Sequence, residues 1–385
     1  MRFGVGVDEF SVDLPSIAGF ALDLQDLVTN FSSNASTQLS RLVLPSGTTG
    51  LLATLTSALD GFHNALSGAH QRDVTTLNAL VTDLSTAKSG YRATDEAYAD
   101  SISAGTSDVT GDAGTSGRSG DPQGVTRYSG LQLPNLPHVE DGTYTIRRVV
   151  TAAIDLISAY DEPWSQVVGI KPAADYLSSL VSDWEALQAI GKRIGLLGIN
   201  DYVTSQNISG GTTWLRRVWT GGAAQSFESR AGGLGRSVDE RSNGVETVSK
   251  IVENGGALLE RLVYNQAIGI SGAITKPINA LGFTMPLGVW ALRINDPMNE
   301  TLRSQITSAV DSLKQTAESM KNAITTTVGR ISQALNYFPG QAGPNYNATD
   351  FDIPAKVVVD MGSVKYGFGN NVWWGHSIES SASST

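Results

Sequence analysis

The chain contains no cysteine. Disulfides, thiolate metal sites and a cysteine nucleophile are thereby excluded. Eukaryotic secreted domains are often stapled by disulfides, so their absence favours a bacterial protein. Charge is scarce too: only 17% of the 385 residues are charged, and the formal net charge is -10. An acidic balance excludes nucleic acid as the expected partner, because that needs a basic footprint. It also disfavours contact with anionic membrane surfaces. No run reaches the roughly 18 apolar residues that a spanning helix requires. The closest stretch, residues 278–292, is short and broken by Pro286. Met1 to Glu9 hold neither an apolar core nor a small-residue cleavage site, so no standard signal peptide is expected.

Catalytic and metal patterns are equally thin. The four histidines are His63, His70, His138 and His376. His63 and His70 lie two turns apart on one helical pattern, whereas metal-binding helices place ligands one turn apart. They read as surface or boundary residues. No phosphate-cradling glycine loop, nucleophile elbow or zinc-protease helix occurs. Asp108, Asp112 and Asp121 fit no calcium-loop spacing. We therefore expect no enzyme, no cofactor and no metal.

What is present is helical periodicity. Leu22, Leu24, Leu27, Val28, Phe31, Leu39 and Leu42 predict a helix over about 16–43. Pro45 to Gly50 is a turn signal. A second helix is expected from about 51 to 103, on a stripe running from Leu52 through Phe62, Leu66, Leu77 and Leu84 to Tyr91. Two such helices joined by a short turn make an antiparallel hairpin. Residues 104–130 are dominated by Gly, Ser, Thr and Asp and read as a flexible linker.

Helix is expected again over 145–160, ended by Pro163-Trp164, and over 172–193, interrupted by Gly195 and Gly198. It resumes from Asp201 and leads through Trp214 and Val218 into Trp219-Thr220-Gly221. The pattern then continues from Ala223 to about Ile268. Residues 269–298 read as a buried connection or short hairpin, punctuated by Pro277, Pro286 and Pro297. A long amphipathic helix follows, with an apolar stripe from Leu302 to Leu335. That stripe is either an intrachain seam or an oligomer interface. The tail holds one candidate strand, 356–361, and an aromatic cluster at Trp373-Trp374-Gly375-His376, read as an anchor in preference to a ligand site.

Two short motifs stand out. Tyr91 and Asp95 lie four residues apart near the end of the second helix and so share one face. Trp219-Thr220-Gly221 sits where a helical pattern reverses. Glycine allows the tight reversal and tryptophan fills the groove beside it. In this order and context, Tyr-x-x-x-Asp followed by Trp-x-Gly resembles the bipartite export signal of type VII (ESX) secretion substrates. The closest likeness is to the class that fuses PE-like and PPE-like halves in one chain, the EspB-like substrates.

The resemblance covers about residues 8–268. The sequence departs from it in lacking a Pro-Glu pair near the start and a Pro-Pro-Glu before the second unit. The apolar and then helical region after 269 also differs from the Pro-rich tail of that class.

The resemblance implies an all-α, elongated bundle of helical hairpins with a flexible loop and a small C-terminal appendage. The expected organisation is a PE-like hairpin (1–103), a linker (104–130), a PPE/WxG-like unit (131–268), an apolar connection with a long helix (269–338) and an irregular tail (339–385). It further implies a secretion signal made of Tyr91, Asp95, Trp219 and Gly221. The partner would be the secretion ATPase, with a cytosolic chaperone as a further candidate. Export without a signal peptide would follow, with non-catalytic action outside the cell by binding or self-assembly, and a homo-oligomer is expected. The alternatives are a toxin-targeting module, a membrane-active helical protein and a structural coiled coil.

Overall fold

A computed structural model describes residues 11–105, 124–280 and 282–358. The architecture is all-α, a bundle of long helices with one two-stranded hairpin among the described residues. Helix α1 (Leu14–Leu39) opens on Asp13, whose carboxylate accepts the Ser16 N–H, with Pro15 in the first turn. A loop carrying Gly47 and Gly50 returns the chain through a 3₁₀ turn (Leu52–Leu55) into α2 (Thr56–Gly105). The expected hairpin is thus present. Its turn is docked, with the Leu51 N–H donating to Ser179 O at 2.8 Å.

Three short helices follow: α3 (Ile146–Ile157), α4 (Asp161–Val167) and α5 (Pro172–Tyr176). Pro163 does not end a helix as expected. It lies in the first turn of α4, where its missing N–H would have no intrahelical partner. The helix expected over 172–193 is also redrawn. Only residues 172–176 and a 3₁₀ turn (Ser178–Leu180) form there, and α6 begins at Ala186 and runs unbroken to Leu215.

Gly195 and Gly198 sit inside α6 because they, with Gly191, let it press on α7 (Gly222–Thr275). A Cβ on Gly191 would lie 2.5 Å from the Glu253 backbone nitrogen, and one on Gly195 would lie 2.8 Å from Ser249 Oγ. Close backbone approach outweighs the helix cost of glycine, about 1 kcal/mol each.

Helix α7 is 54 residues long, about 80 Å at the standard rise. It is the spine against which α6, α3 and α9 pack. After it comes the hairpin β1 (Pro277–Ala280) and β2 (Phe283–Pro286), antiparallel with Ile278 opposite Met285 and Asn279 opposite Thr284. A short α8 (Leu287–Leu292) buries Leu287, Trp290 and Ala291. Helix α9 (Glu300–Leu335) buries the expected stripe, including Leu302, Ile306, Val310, Leu313, Ile324, Val328, Ile331 and Leu335. The stripe belongs to the main core of this chain and is an intrachain seam. No helix among the described residues is long and apolar enough to cross a membrane.

The two helical units pack together, with α1 lying along α6 and α2 touching α7 and α9. The end of the expected linker is also fixed. Arg127 pairs with Asp23 and Asp26, and the Tyr128 N–H donates to Asp23 Oδ2 at 2.8 Å. Residues 124–130 therefore lie along α1, while Asp108, Asp112 and Asp121 fall outside the described residues. In the tail, Phe351 is buried and stacks on Tyr346. Residues 356–358 form no strand; 359–361 and the cluster Trp373 to His376 lie outside the described residues.

Candidate functional site

The core divides into two apolar clusters. The larger one includes Trp164, Trp184 and the α9 stripe. The smaller one gathers Ile17, Phe20, Leu77, Leu84, Ile208, Trp219 and Phe227 around the junction of α6 and α7. The sequence-predicted motifs meet in this second cluster.

Helix α6 ends at Leu215, and the Trp219 N–H closes the exit by donating to Leu215 O at 2.9 Å. Gly221 then adopts φ 105° and ψ -178° and precedes α7. That region is essentially restricted to glycine, so the Trp-x-Gly spacing is set by the reversal itself. Residues 11–13 run antiparallel to 218–220. The Asp13 N–H donates to Val218 O at 3.0 Å and the Thr220 N–H to Ser11 O at 2.9 Å. The start of the first unit thus pins the turn of the second.

Trp219 is 2% exposed. Its ring centroid lies 5.7 Å from that of Phe227, which meets Phe20 edge-on at 6.2 Å. Buried indoles usually need a partner for their N–H. Here Trp219 Nε1 donates to Tyr91 Oη at 3.2 Å. Tyr91 is half-buried and marks the limit of the packed part of α2. From Arg92 to Ser101 every residue is exposed. Asp95 is on this exposed stretch, one turn beyond Tyr91. The geometry brings together Tyr91, Trp219 and Gly221, and presents Asp95 beside them.

Beside Trp219 is a cleft of about 230 Å³ between the end of α6 and the start of α7. Leu215, Trp219, Gly221 and Phe227 line it, and Arg216 and Glu228, paired at 3.1 Å, also border it. Its surface offers apolar floor, one ion pair and exposed backbone at a helix start. Such a surface suits binding, and no group of three or more potential metal ligands occurs among the described residues.

A second polar feature was not anticipated. His70 is 4% exposed, and so is buried where a surface or boundary position was expected. Its Nε2 lies 3.0 Å from Asp201 Oδ1, its Nδ1 lies 2.9 Å from Leu66 O, and Phe31 stacks on the ring. Arg241 makes a two-pronged contact with Asp201, at 2.8 and 2.9 Å, and pairs with Asp73. Burial pushes the Asp201 carboxyl up and is the strongest single influence on it. The attraction and hydrogen bonds of Arg241 and His70 together outweigh it, and hold the group below the usual carboxylate range. Arg241 is likewise held above its ordinary value: burial opposes its charge, and Asp201 and Asp73 prevail.

This layer joins α2, α6 and α7 and lies between the two apolar clusters. The signal for it was present in the sequence. Asp201 continues the buried stripe Ile194, Leu197, Thr204, Ile208, and Arg241 continues Leu234, Val238, Val245, Val248. A charge on an apolar stripe is buried only if partnered.

No family model, curated protein or solved structure matches this chain.

Proposed function

We propose that the protein is a substrate of a type VII secretion system, exported without a signal peptide and acting outside the cytoplasm by binding or self-assembly. The signal would be composite. Trp219 and Gly221 form the α6–α7 reversal, Tyr91 joins it from the other unit, and Asp95 lies exposed one turn further along α2. The observation that carries this reading is the Trp219–Tyr91 hydrogen bond. It makes two motifs from distant parts of the chain into one surface, the geometry such a signal requires.

The arrangement also suits recognition by a receptor. An exposed carboxylate one turn from Tyr91, together with the aromatic-lined cleft at Trp219, offers charge and apolar area. A folded unit is then the recognised species, because neither half alone presents all four residues. The test is export from the native host. Culture supernatant and lysate are compared for the wild type, Tyr91→Ala, Trp219→Ala and Asp95→Ala, with a cytosolic marker as lysis control. Export of the wild type and its loss in all three variants, with normal levels in the lysate, supports the reading. Unchanged export, or a wild type that is never exported, rejects it.

A further inference from the structure

The exposed stretch of α2 from Arg92 to Ser101 carries a single aromatic ring, Tyr98, which is 67% exposed. A lone exposed tyrosine is ordinary on a protein surface. This one continues a line. On a helix, positions i, i+4 and i+7 fall on one face, so Tyr91, Asp95 and Tyr98 are aligned along α2. Tyr91 holds the inner end of the line through the Trp219 indole. Tyr98 forms the outer end, about 10 Å further along the axis.

Asp95 lies between the two tyrosines. Among the described residues it has no ion-pair partner, whereas the adjacent Glu96 is taken by Arg92 at 2.9 Å. Asp95 and Tyr98 are three positions apart on the helix, which sets their Cβ atoms about 5–6 Å from each other. The side chains that flank Tyr98, at Thr94, Ala97, Ala99 and Ser101, are all short. The ring is therefore open to a flat partner, with a carboxylate next to it.

We infer that Asp95 and Tyr98 together receive an arginine side chain of the export receptor. The inference rests on the export reading and adds Tyr98 to the signal. Charge complementarity names the partner. A carboxylate without a cation of its own calls for a positive group, and an aromatic face beside it attracts the same charge. A guanidinium meets both demands at once. It pairs with a carboxylate through two parallel N–H donors, and its flat, weakly hydrated face stacks on a ring. An ammonium is a compact, strongly hydrated point charge with no plane to stack.

Three substitutions at Tyr98 separate the ring face from apolar bulk and from the hydroxyl. Export by the native host is measured for full-length Tyr98→Phe, Tyr98→Leu and Tyr98→Ala, beside the wild type and Tyr91→Ala, with lysate levels and a cytosolic marker as controls. Far-UV circular dichroism of the purified variants should match the wild type, because Tyr98 is exposed. Tyr98→Phe keeps the ring face and should be exported like the wild type. Tyr98→Leu keeps apolar bulk alone, and its export should fall about tenfold, as should that of Tyr98→Ala, the effect of one lost cation–ring contact. In a second arm, Tyr98 is replaced in the host by a photoreactive phenylalanine, and its cross-link to the receptor should map beside an arginine. Equal export of Tyr98→Leu and Tyr98→Phe, loss of Tyr98→Phe to the level of Tyr98→Ala, or a cross-link to a stretch without arginine would overturn the arginine contact. Unchanged export of all three Tyr98 variants, with loss in Tyr91→Ala, removes that contact and leaves the export signal standing. Unchanged export of Tyr91→Ala, or a wild type that is never exported, rejects both.

Discussion

The indole N–H of Trp219 donates to the hydroxyl of Tyr91 at 3.2 Å, across 128 positions of sequence. The bond sits at the edge of an aromatic cluster, with Phe227 and Phe20 behind the indole. It joins the end of the packed part of α2 to the α6–α7 reversal. Its two members should therefore differ in their structural weight.

Tyr91→Phe removes the bond between the hydroxyl and the Trp219 indole and leaves the ring; loss of that bond should lower stability by about 1 kcal/mol. Trp219→Ala removes a fully buried aromatic and should cost about 3–5 kcal/mol. Urea unfolding followed by far-UV circular dichroism checks both. Equal losses from the two substitutions would mean that the hydroxyl, and not the packed indole, organises the junction.

Asp95 allows a cleaner separation of stability from recognition. It lies on a stretch of α2 with every residue from Arg92 to Ser101 exposed. Asp95→Asn should leave the unfolding temperature unchanged, since surface substitutions of this kind are nearly neutral. On the reading proposed above it should nevertheless abolish export. A variant that is both stable and exported as well as the wild type would remove Asp95 from the signal.

Gly221 carries the third expectation. At φ 105° it lies where a side chain is strained. Gly221→Ala should cost about 1–3 kcal/mol. It should also loosen the pairing of residues 11–13 with 218–220, visible as faster amide exchange at Thr220, whose N–H donates to Ser11 O. Unchanged exchange at Thr220 would show that the reversal tolerates a side chain.

The long helices α1, α2, α7 and α9 were legible because their apolar residues recur at helical spacing, and burial follows that stripe. The errors came where tertiary contact overrides a local rule. Gly195 and Gly198 read as breaks because glycine is a poor helix former. In the fold they create the surface on which α7 lies. Pro163 read as a stop, yet a proline in a first turn serves as a start. His70 read as peripheral because its partners, Asp201 and Leu66, are invisible to a test based on metal spacing.

Tyr91 and Trp219 could be singled out from their motifs. Their contact could not, since it depends on how α1 and α2 pack against α6 and α7. The antiparallel pairing of residues 11–13 with 218–220 had no signal in the sequence either, because a three-residue bridge leaves no periodic trace.

The charge layer makes the last prediction, and it concerns both substitution and pH. Asp201 is fully buried between Arg241 and His70. Arg241→Met removes its two-pronged partner and leaves a buried carboxylate, which should cost about 3–5 kcal/mol. Replacing both charges, with Asp201→Leu and Arg241→Met, also strips Asp73 and His70 of a partner. The double variant should therefore recover part of the loss, not all of it.

The pH dependence has a definite sign. The Asp201 carboxyl is held below its unfolded value, which is about 3.9. The folded state therefore binds its proton less readily than the unfolded state does. The stabilisation is fully present above the unfolded value and is lost as pH falls through the lower, folded one. Unfolding free energy should fall below about pH 4. The Asp201→Leu, Arg241→Met variant should show a shallower fall over the same range, because the Asp201 carboxyl is gone. Urea titrations between pH 2 and 6, a range of roughly two units on either side of the unfolded value, measure both slopes. Parallel slopes would assign the acid sensitivity to other carboxylates.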